Sequence, residues 1–402
     1  MSYIENFAPE DFKVPGFKAS GIACGIKKTG KKDLALIISE APAQAAGLFT
    51  TNKVKAAPVL IGQYRIKKGT SRGVIVNSGN ANACTGKQGY KAAEKMTILA
   101  EKALGFSKGS MLVSSTGVIG VPLPVERVEE GMQKLVEGLS VDGLNDATEA
   151  IMTTDAFPKR ALVKGKVGGK TVTIAGMAKG AGMICPNMAT MLAYFLTDAN
   201  IKSATLKKAF KQAIDLSFNS IIVDNDTSTN DTALIFANGV SGGTEIKNNT
   251  ADFKAFTKLL TEASVKLAKM IVKDGEGATR LIELDIRGAK SVNDARKAAR
   301  TIAESMLVKT AFFGGDPNWG RIMGALGRAG ISLDESKVDI SFNGVPVVKK
   351  GLDTGKEAQA ATAIKVKEIK VIVNLRSGSS EATIWTTDLS YEYVKINSAY
   401  RT

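Results

Sequence analysis

Any chemistry in this chain has to run without imidazole, because none of its 402 residues is a histidine. That excludes serine–histidine–aspartate and cysteine–histidine catalysis, histidine-ligated zinc and any imidazole general base. A nucleophile here needs a lysine, a carboxylate or a terminal amine as its base. The most unusual stretch is KGAGMICPNMATMLAYFLTD, residues 179–198. A glycine-rich loop and a proline lead abruptly into an apolar run, and Thr190 stands at its first position. A strand apolar at every position is buried on both faces, so its polar first residue lies at the edge of a core. Position alone gives Thr190 an ordinary role, since threonine favours strands.

The other candidate nucleophiles are weaker. Cys24, Cys84 and Cys185 lie far apart, an odd count with no CxxC pair. This argues against a disulfide framework and a cysteine-rich zinc site, and fits a reducing cytoplasm. No metal is expected. Cys185 lies five residues before Thr190, but no histidine is available to form its thiolate.

The net charge of +15 raises the question of nucleic acid. Lysines are spread along the whole chain, and the densest cluster, KKTGKK at 27–32, sits between two apolar strands where a turn belongs. Nucleic-acid binders concentrate charge on one face, with aromatics nearby to stack on bases. Aromatics are only 6% here and do not alternate with the lysines, so a solvated surface is the expectation. No stretch approaches the roughly 18 apolar residues that would span a membrane. The N-terminal MSYIENFAPEDFKVPG carries acidic residues and no apolar core, so it reads as neither a signal nor a transit peptide. A cytoplasmic protein without membrane or nucleic-acid partners is expected.

The elements that must position these residues come in groups. LALIIS (34–39), GVIVNS (73–78) and TVTIAGMA (171–178) read as strands, and YKAAEKMTILAEKALGF (90–106) as a helix. A second helix near 125–139 begins just after a proline. Apolar stripes mark helices at 203–218, through Leu206, Phe210, Ala213 and Ile214, and at 251–272, through Phe253, Phe256, Leu260, Leu267 and Ile271. Strands return in RLIELDIRG, KVDISFNG, EIKVIVNLRSG and EATIWTTDLS. The pattern predicts an α+β fold with layered sheets rather than a strictly alternating doubly wound one.

A chain-long set of motifs carries a resemblance. VPGFKASGIACGIK (14–27), VNSGNANACTG (76–86), SSTGVIG (114–120), TTDAFPK (153–159) and KGAGMICPNMATML (179–192) come first. DNDTSTND (224–231), KDGEGATR (273–280), GDPNWGRI (315–322) and INSAYRT (396–402) follow in the same order. The sequence resembles the ornithine acetyltransferase family of arginine biosynthesis, whose members are bifunctional glutamate N-acetyltransferases in some organisms. The resemblance implies an α/β/β/α sandwich of the self-cleaving, N-terminal-nucleophile-like type. It also implies cleavage between Ala189 and Thr190, giving fragments 1–189 and 190–402 assembled as two copies of each.

By the same resemblance Thr190 is the nucleophile, and the Thr116 hydroxyl and Gly117 N–H form the oxyanion hole. Substrate contacts fall on Thr153 (with Thr154 as its neighbour), Lys179, Thr190, Glu276, Asn397 and Thr402. Cys185 stands where other members often carry histidine, and Ser398 and Ala399 depart from the usual tail. The expected reaction is ping-pong acetyl transfer from N-acetylornithine to glutamate, with no cofactor. Whether acetyl-CoA also donates is left open. A second reading is a self-processing amidase or aminopeptidase of the same fold, with water as acceptor. A third is a basic binding protein, which has the +15 charge alone behind it.

Overall fold

The computed structural model describes residues 2–3, 7–185 and 191–399. The chain begins with β1 (Ser2–Tyr3), β2 (Phe17–Ile22), β3 (Leu34–Phe49), α1 (Ala57–Arg65), β4 (Thr70–Asn80), α2 (Gly86–Ala103) and β5 (Met111–Val118). Helices α3 (Val125–Glu137) and α4 (Leu144–Ile151) precede the hairpin β6 (Lys159–Val167) and β7 (Lys170–Lys179). Then come β8 (Leu192–Thr197), α5 (Ser203–Asp215), β9 (Ile221–Ile222), β10 (Thr232–Ala237) and α6 (Ala251–Lys273). The last third holds β11 (Leu281–Ala289), α7 (Val292–Ala303), α8 (Met306–Gly314), α9 (Trp319–Gly327), β12 (Asp339–Phe342) and β13 (Val345–Lys349). It ends with β14 (Leu352–Asp353), α10 (Glu357–Ala363), β15 (Glu368–Asn374), β16 (Ser380–Thr387) and α11 (Tyr391–Ala399).

The layers follow from β3, which runs on past the six residues expected of it. Its first part pairs with β2 and β4, and its last six residues pair with β10. Between them the register with β4 shifts, and Glu40, Ala41 and Pro42 are exposed. This break lets one nine-stranded sheet fold over itself. Ile37, Val74, Val76 and Leu112 from one half meet Leu162, Met177, Tyr194 and Phe236 from the other in a shared core, with α4 packed into it. On the outer faces α2 and α3 cover one half, and α5 and α6 cover the other. The result is an α/β/β/α sandwich whose two β layers belong to a single sheet.

The apolar run behaves as its composition requires. All six residues of β8 are buried: Ala193 and Phe195 face the α5–α6 side, while Leu192, Tyr194 and Leu196 face the interior. Full burial of each large side chain contributes roughly 1.5–3 kcal/mol. β8 lies between antiparallel β7 and parallel β10. A second, seven-stranded sheet, β14-β13-β12-β15-β11-β16-β9, is backed by helices α7 to α10. It borrows β9 from the stretch between α5 and β10, so the two sheets are interlocked along the chain. Among the described residues no helix is long and apolar enough to cross a membrane.

Most lysines lie on the surface as expected, with instructive exceptions. Lys159, Lys179 and Lys309 are buried at 0%, 5% and 4% exposure. The 27–32 segment is a turn region, yet Lys27 is not simply solvated. Its ammonium donates to the carbonyls of Lys32 and Met152, and burial pulls it down to about 8.

Candidate active site

The ends of β5 and β7, the loops after α4 and α6, and α11 converge on one cavity of about 220 Å3. Thr116, Gly117, Thr153, Thr154, Lys179, Glu276 and Asn397 all line it. Residues up to 281 positions apart in sequence (397 minus 116) therefore share one site. Thr190, Ala189 and Thr402 lie outside the described residues. The flanks of the 186–190 segment are defined. On one side the Ile184 carbonyl accepts from the Val223 and Asp224 amides, and on the other the Met191 N–H donates to Asp231 at 2.8 Å.

Thr116 and Gly117 close β5 beside the end of β4, where Gly79 pairs with Gly117. Gly117 has φ +134, and a Cβ there would come within 2.3 Å of the Gly79 carbonyl carbon. Only glycine fits, and this frees its backbone for close approach to a ligand. Beneath the turn, Ser115 donates to Asn77 at 2.5 Å, and the Asn230 amide donates to the carbonyls of Ala81 and Ser115 at 2.6 and 2.8 Å.

Lys179 is the last residue of β7, directly across from Leu192 of β8. Its ammonium lies 3.5 Å from the Thr116 hydroxyl oxygen. Burial holds it below the usual lysine range, against the opposing pull of Asp155. Burial alone would raise the Asp155 carboxyl, but Lys179 and Lys159 outweigh it and bring it to about 2.

The opposite wall is acidic. Glu276 is fastened by its own amide, which donates to the Ala181 carbonyl at 2.8 Å, and its carboxylate accepts from the Asn397 amide at 3.0 Å. Asn397 thus belongs to a docked helix rather than a frayed end. Gly277 makes the docking possible, since a Cβ there would meet the Tyr393 nitrogen at 2.4 Å. Asp224 accepts from the Met183 N–H at 2.7 Å and from the Tyr393 hydroxyl at 3.3 Å, and burial raises its carboxyl.

Cys185 is a poor rival nucleophile. It is buried against Arg300 and Glu304 of the region around α7, and desolvation pushes its thiol up to about 12. At neutral pH it carries almost no thiolate.

Comparison with known proteins agrees with the motif order. The ArgJ family profile matches residues 18–402. The chain belongs to the ArgJ family. An arginine biosynthesis bifunctional protein ArgJ from Geobacter sulfurreducens is 51% identical over 391 residues, 97% of this chain and 100% of its own length. One from Symbiobacterium thermophilum is 50% identical over 390 residues, 96% of this chain and 97% of its own. A crystal structure of an arginine biosynthesis bifunctional protein ArgJ from Bacillus halodurans is 38% identical with a TM-score of 0.49, covering 50% of this chain and 96% of the solved one. As an ArgJ family member, the chain is an enzyme, and the resemblance read from its motifs holds.

Several residues at this ArgJ site escaped sequence reasoning. Asp224, Asp226, Ser228, Thr229 and Asn230 all line the cavity. They fall within DNDTSTND, whose density of short polar residues was the available signal. Tyr393 gave none. Lys27, Lys28 and Lys31 line a second cavity of about 610 Å3 that meets the first at Thr153. Among the described residues no group of three or more histidine, cysteine or acidic side chains could hold a metal.

Proposed function

We propose that this enzyme transfers an acetyl group from N-acetylornithine to glutamate through an acetyl ester on Thr190. The observation that carries this reading is the 3.5 Å approach of the buried Lys179 ammonium to the Thr116 hydroxyl. In N-acetylornithine the acetylated nitrogen and the carboxylate share one carbon. A cation that holds the carboxylate must therefore stand beside the donors that receive the amide oxyanion, as Lys179 stands beside Thr116. The side-chain ammonium lies three methylenes further on, and Glu276 on the far wall is its match. Glutamate repeats the α-carboxylate at Lys179, and its shorter side chain ends in a carboxylate that the Asn397 amide would receive by turning away from Glu276 and the Tyr393 carbonyl.

The chemistry starts with the protein itself. The Thr190 hydroxyl attacks the Ala189 carbonyl, the acyl group moves from nitrogen to oxygen, and water hydrolyses the ester. This frees an α-amine on Thr190, which ordinarily titrates near 7.7–8.0, well below a lysine near 10.4. The amine then takes the proton of its own residue's hydroxyl as that oxygen attacks the acetyl carbonyl. Thr116 Oγ–H and Gly117 N–H receive the oxyanion, each donor lowering the barrier by roughly 3–4 kcal/mol. The amine's proton goes to the departing ornithine nitrogen, and the glutamate amine reverses the sequence.

The fragments 1–189 and 190–402 would not separate, because β7 of the first and β8 of the second are paired from Ile174–Thr197 to Lys179–Leu192. The cut makes a base rather than two proteins. For acetyl-CoA as a second donor, the adjoining lysine-lined cavity gives room and charge for its phosphates. Intact-mass analysis under denaturing conditions tests the reading. Two pieces are expected from the wild type and one from Thr190→Ala, with acetyl transfer only in the former. An uncut yet active wild type would overturn it.

A further inference from the structure

The cavity is assembled from segments far apart in the chain, and three of them meet at one buried point. Lys159 is 0% exposed, and its ammonium donates to Asp155 at 2.6 Å and to Asp274 at 2.5 Å. Asp155 stands two residues after Thr153 and accepts from its N–H at 2.9 Å. The other Asp155 oxygen accepts at 2.7 Å from the N–H of Gly180, next to Lys179. Asp274 stands two residues before Glu276 and accepts from the Ala156 N–H at 3.0 Å. The Phe157 ring lies 5.0 Å from the Lys159 ammonium. Asp155 thus ties the backbone at Thr153 to that beside Lys179, and Asp274, two residues before Glu276, ties its own segment to the same place through Lys159 and Ala156.

We propose that Asp155, Lys159 and Asp274 are positioning residues, a buried ion triad that sets Thr153, Lys179 and Glu276 in one frame. The proposal rests on the substrate contacts assigned above. Burying three charges is costly, and apolar side chains of similar size would fill the space at least as well. What they could not do is fix hydrogen-bond distances among three backbones at once. The strand end that carries the oxyanion pair has its own brace, with Ser115, next to Thr116, bonded to Asn77 and Asn230, and it touches the triad's frame only through the Lys179 ammonium. Loosening the triad should therefore spoil substrate binding more than the chemical step.

A second buried ion pair gives the control. Arg65 and Glu101 meet at 3.2 Å with side chains 8% and 3% exposed, and both bond to Met111, at the opposite end of β5 from Thr116. Asp155→Asn, Lys159→Met and Asp274→Asn are compared with Glu101→Gln in the full chain. Readouts are steady-state acetyl transfer, calorimetric binding of ornithine, which needs no turnover, and melting temperature. The triad variants are expected to raise KM for N-acetylornithine and weaken ornithine binding by about tenfold, with kcat lowered less than about threefold. Glu101→Gln should lose melting temperature without that split. If Asp155→Asn does not fold, Asp274→Asn decides, because one oxygen of Asp274 accepts from both Lys159 and Ala156 whereas Asp155 uses both of its oxygens. Triad variants that match Glu101→Gln in every readout would overturn the proposal. A wild type that binds ornithine but transfers no acetyl group would sink the proposed function and leave the binding comparison to judge the triad.

Discussion

Thr116, Gly117 and Lys179 enter the cavity from the ends of sandwich strands, whereas Glu276 reaches it from a loop and Tyr393 and Asn397 from α11, a helix with no buried residue. The first wall is held by ladder hydrogen bonds, a close glycine pair and buried charges. In the second, Glu276 is tied back by its amide to Ala181 and through Asp274 to Lys159, but Tyr393 and Asn397 are held by side-chain bonds at an exposed surface, of which Glu276–Asn397 is one. Rigid elements suit the groups that must receive a charge at a fixed place. A less deeply packed wall suits two substrates whose side chains end in opposite charges. Under the proposed function, bond making and substrate choice would fall to parts of the fold packed to different depths.

Changes to the first wall should have the largest effect. Gly117→Ala forces β4 and β5 apart at 2.3 Å from a backbone carbon, and is expected to lower kcat by at least about a thousandfold. Thr116→Val removes one donor while keeping the strand, for a loss of about 100- to 1000-fold in kcat with little change in KM. Stopped-assay kinetics with cleavage scored by mass would check both. A Thr116→Val effect mainly on KM would erase the contrast between the walls.

Changes to the second wall should act on binding and differ by substrate. Glu276→Gln is expected to raise KM for N-acetylornithine about tenfold while sparing N-acetyl substrates with neutral side chains. Equal losses would contradict the assignment of Glu276 to the ammonium. Asn397→Ala should raise KM for glutamate by only about threefold, as expected for a rim hydrogen bond. A comparable loss for N-acetylornithine would remove it from the acceptor's side chain.

The smallest effect concerns stability beneath the second wall. Lys309 is buried among the oxygens of Thr386 and Thr387, with Asp388 and Asp224 further off, and burial pulls its ammonium down to about 7. Lys159, in the first wall, has two carboxylates in direct contact instead. The unfolded chain keeps the Lys309 proton up to the ordinary lysine value, while the folded chain releases it near 7. Folding stability from this group therefore rises with pH between those values, by no more than about 1.4 kcal/mol per pH unit. Lys309→Met should flatten that rise in denaturant titrations from pH 7 to 10. An unchanged slope would show that the folded protein keeps the proton.

Much of this was legible in the sequence, and the reasons differ by residue. MLAYFLT has no polar alternation, and β8 is buried on both faces as that absence demands. Thr116, Gly117, Thr153, Lys179, Glu276 and Asn397 are singled out by motif order, and all six line one cavity. The fold-over of β3 was not legible, because an exposed break between two apolar halves looks like the end of a strand. The triad was hidden for another reason. Lys159 looks like any of the other lysines until Asp274, 115 residues later, is brought beside it. Burial of a charge depends on partners that sequence spacing does not reveal.

The central claim is the acetyl ester on Thr190, and it can be caught directly. The wild-type protein is incubated with N-acetylornithine in the absence of glutamate, then denatured and weighed by mass spectrometry. The account predicts fragment 190–402 one acetyl group heavier, with the modification on Thr190 and its loss when glutamate is added. An acetyl group on fragment 1–189, or transfer to glutamate with no acetylated protein formed, would contradict it.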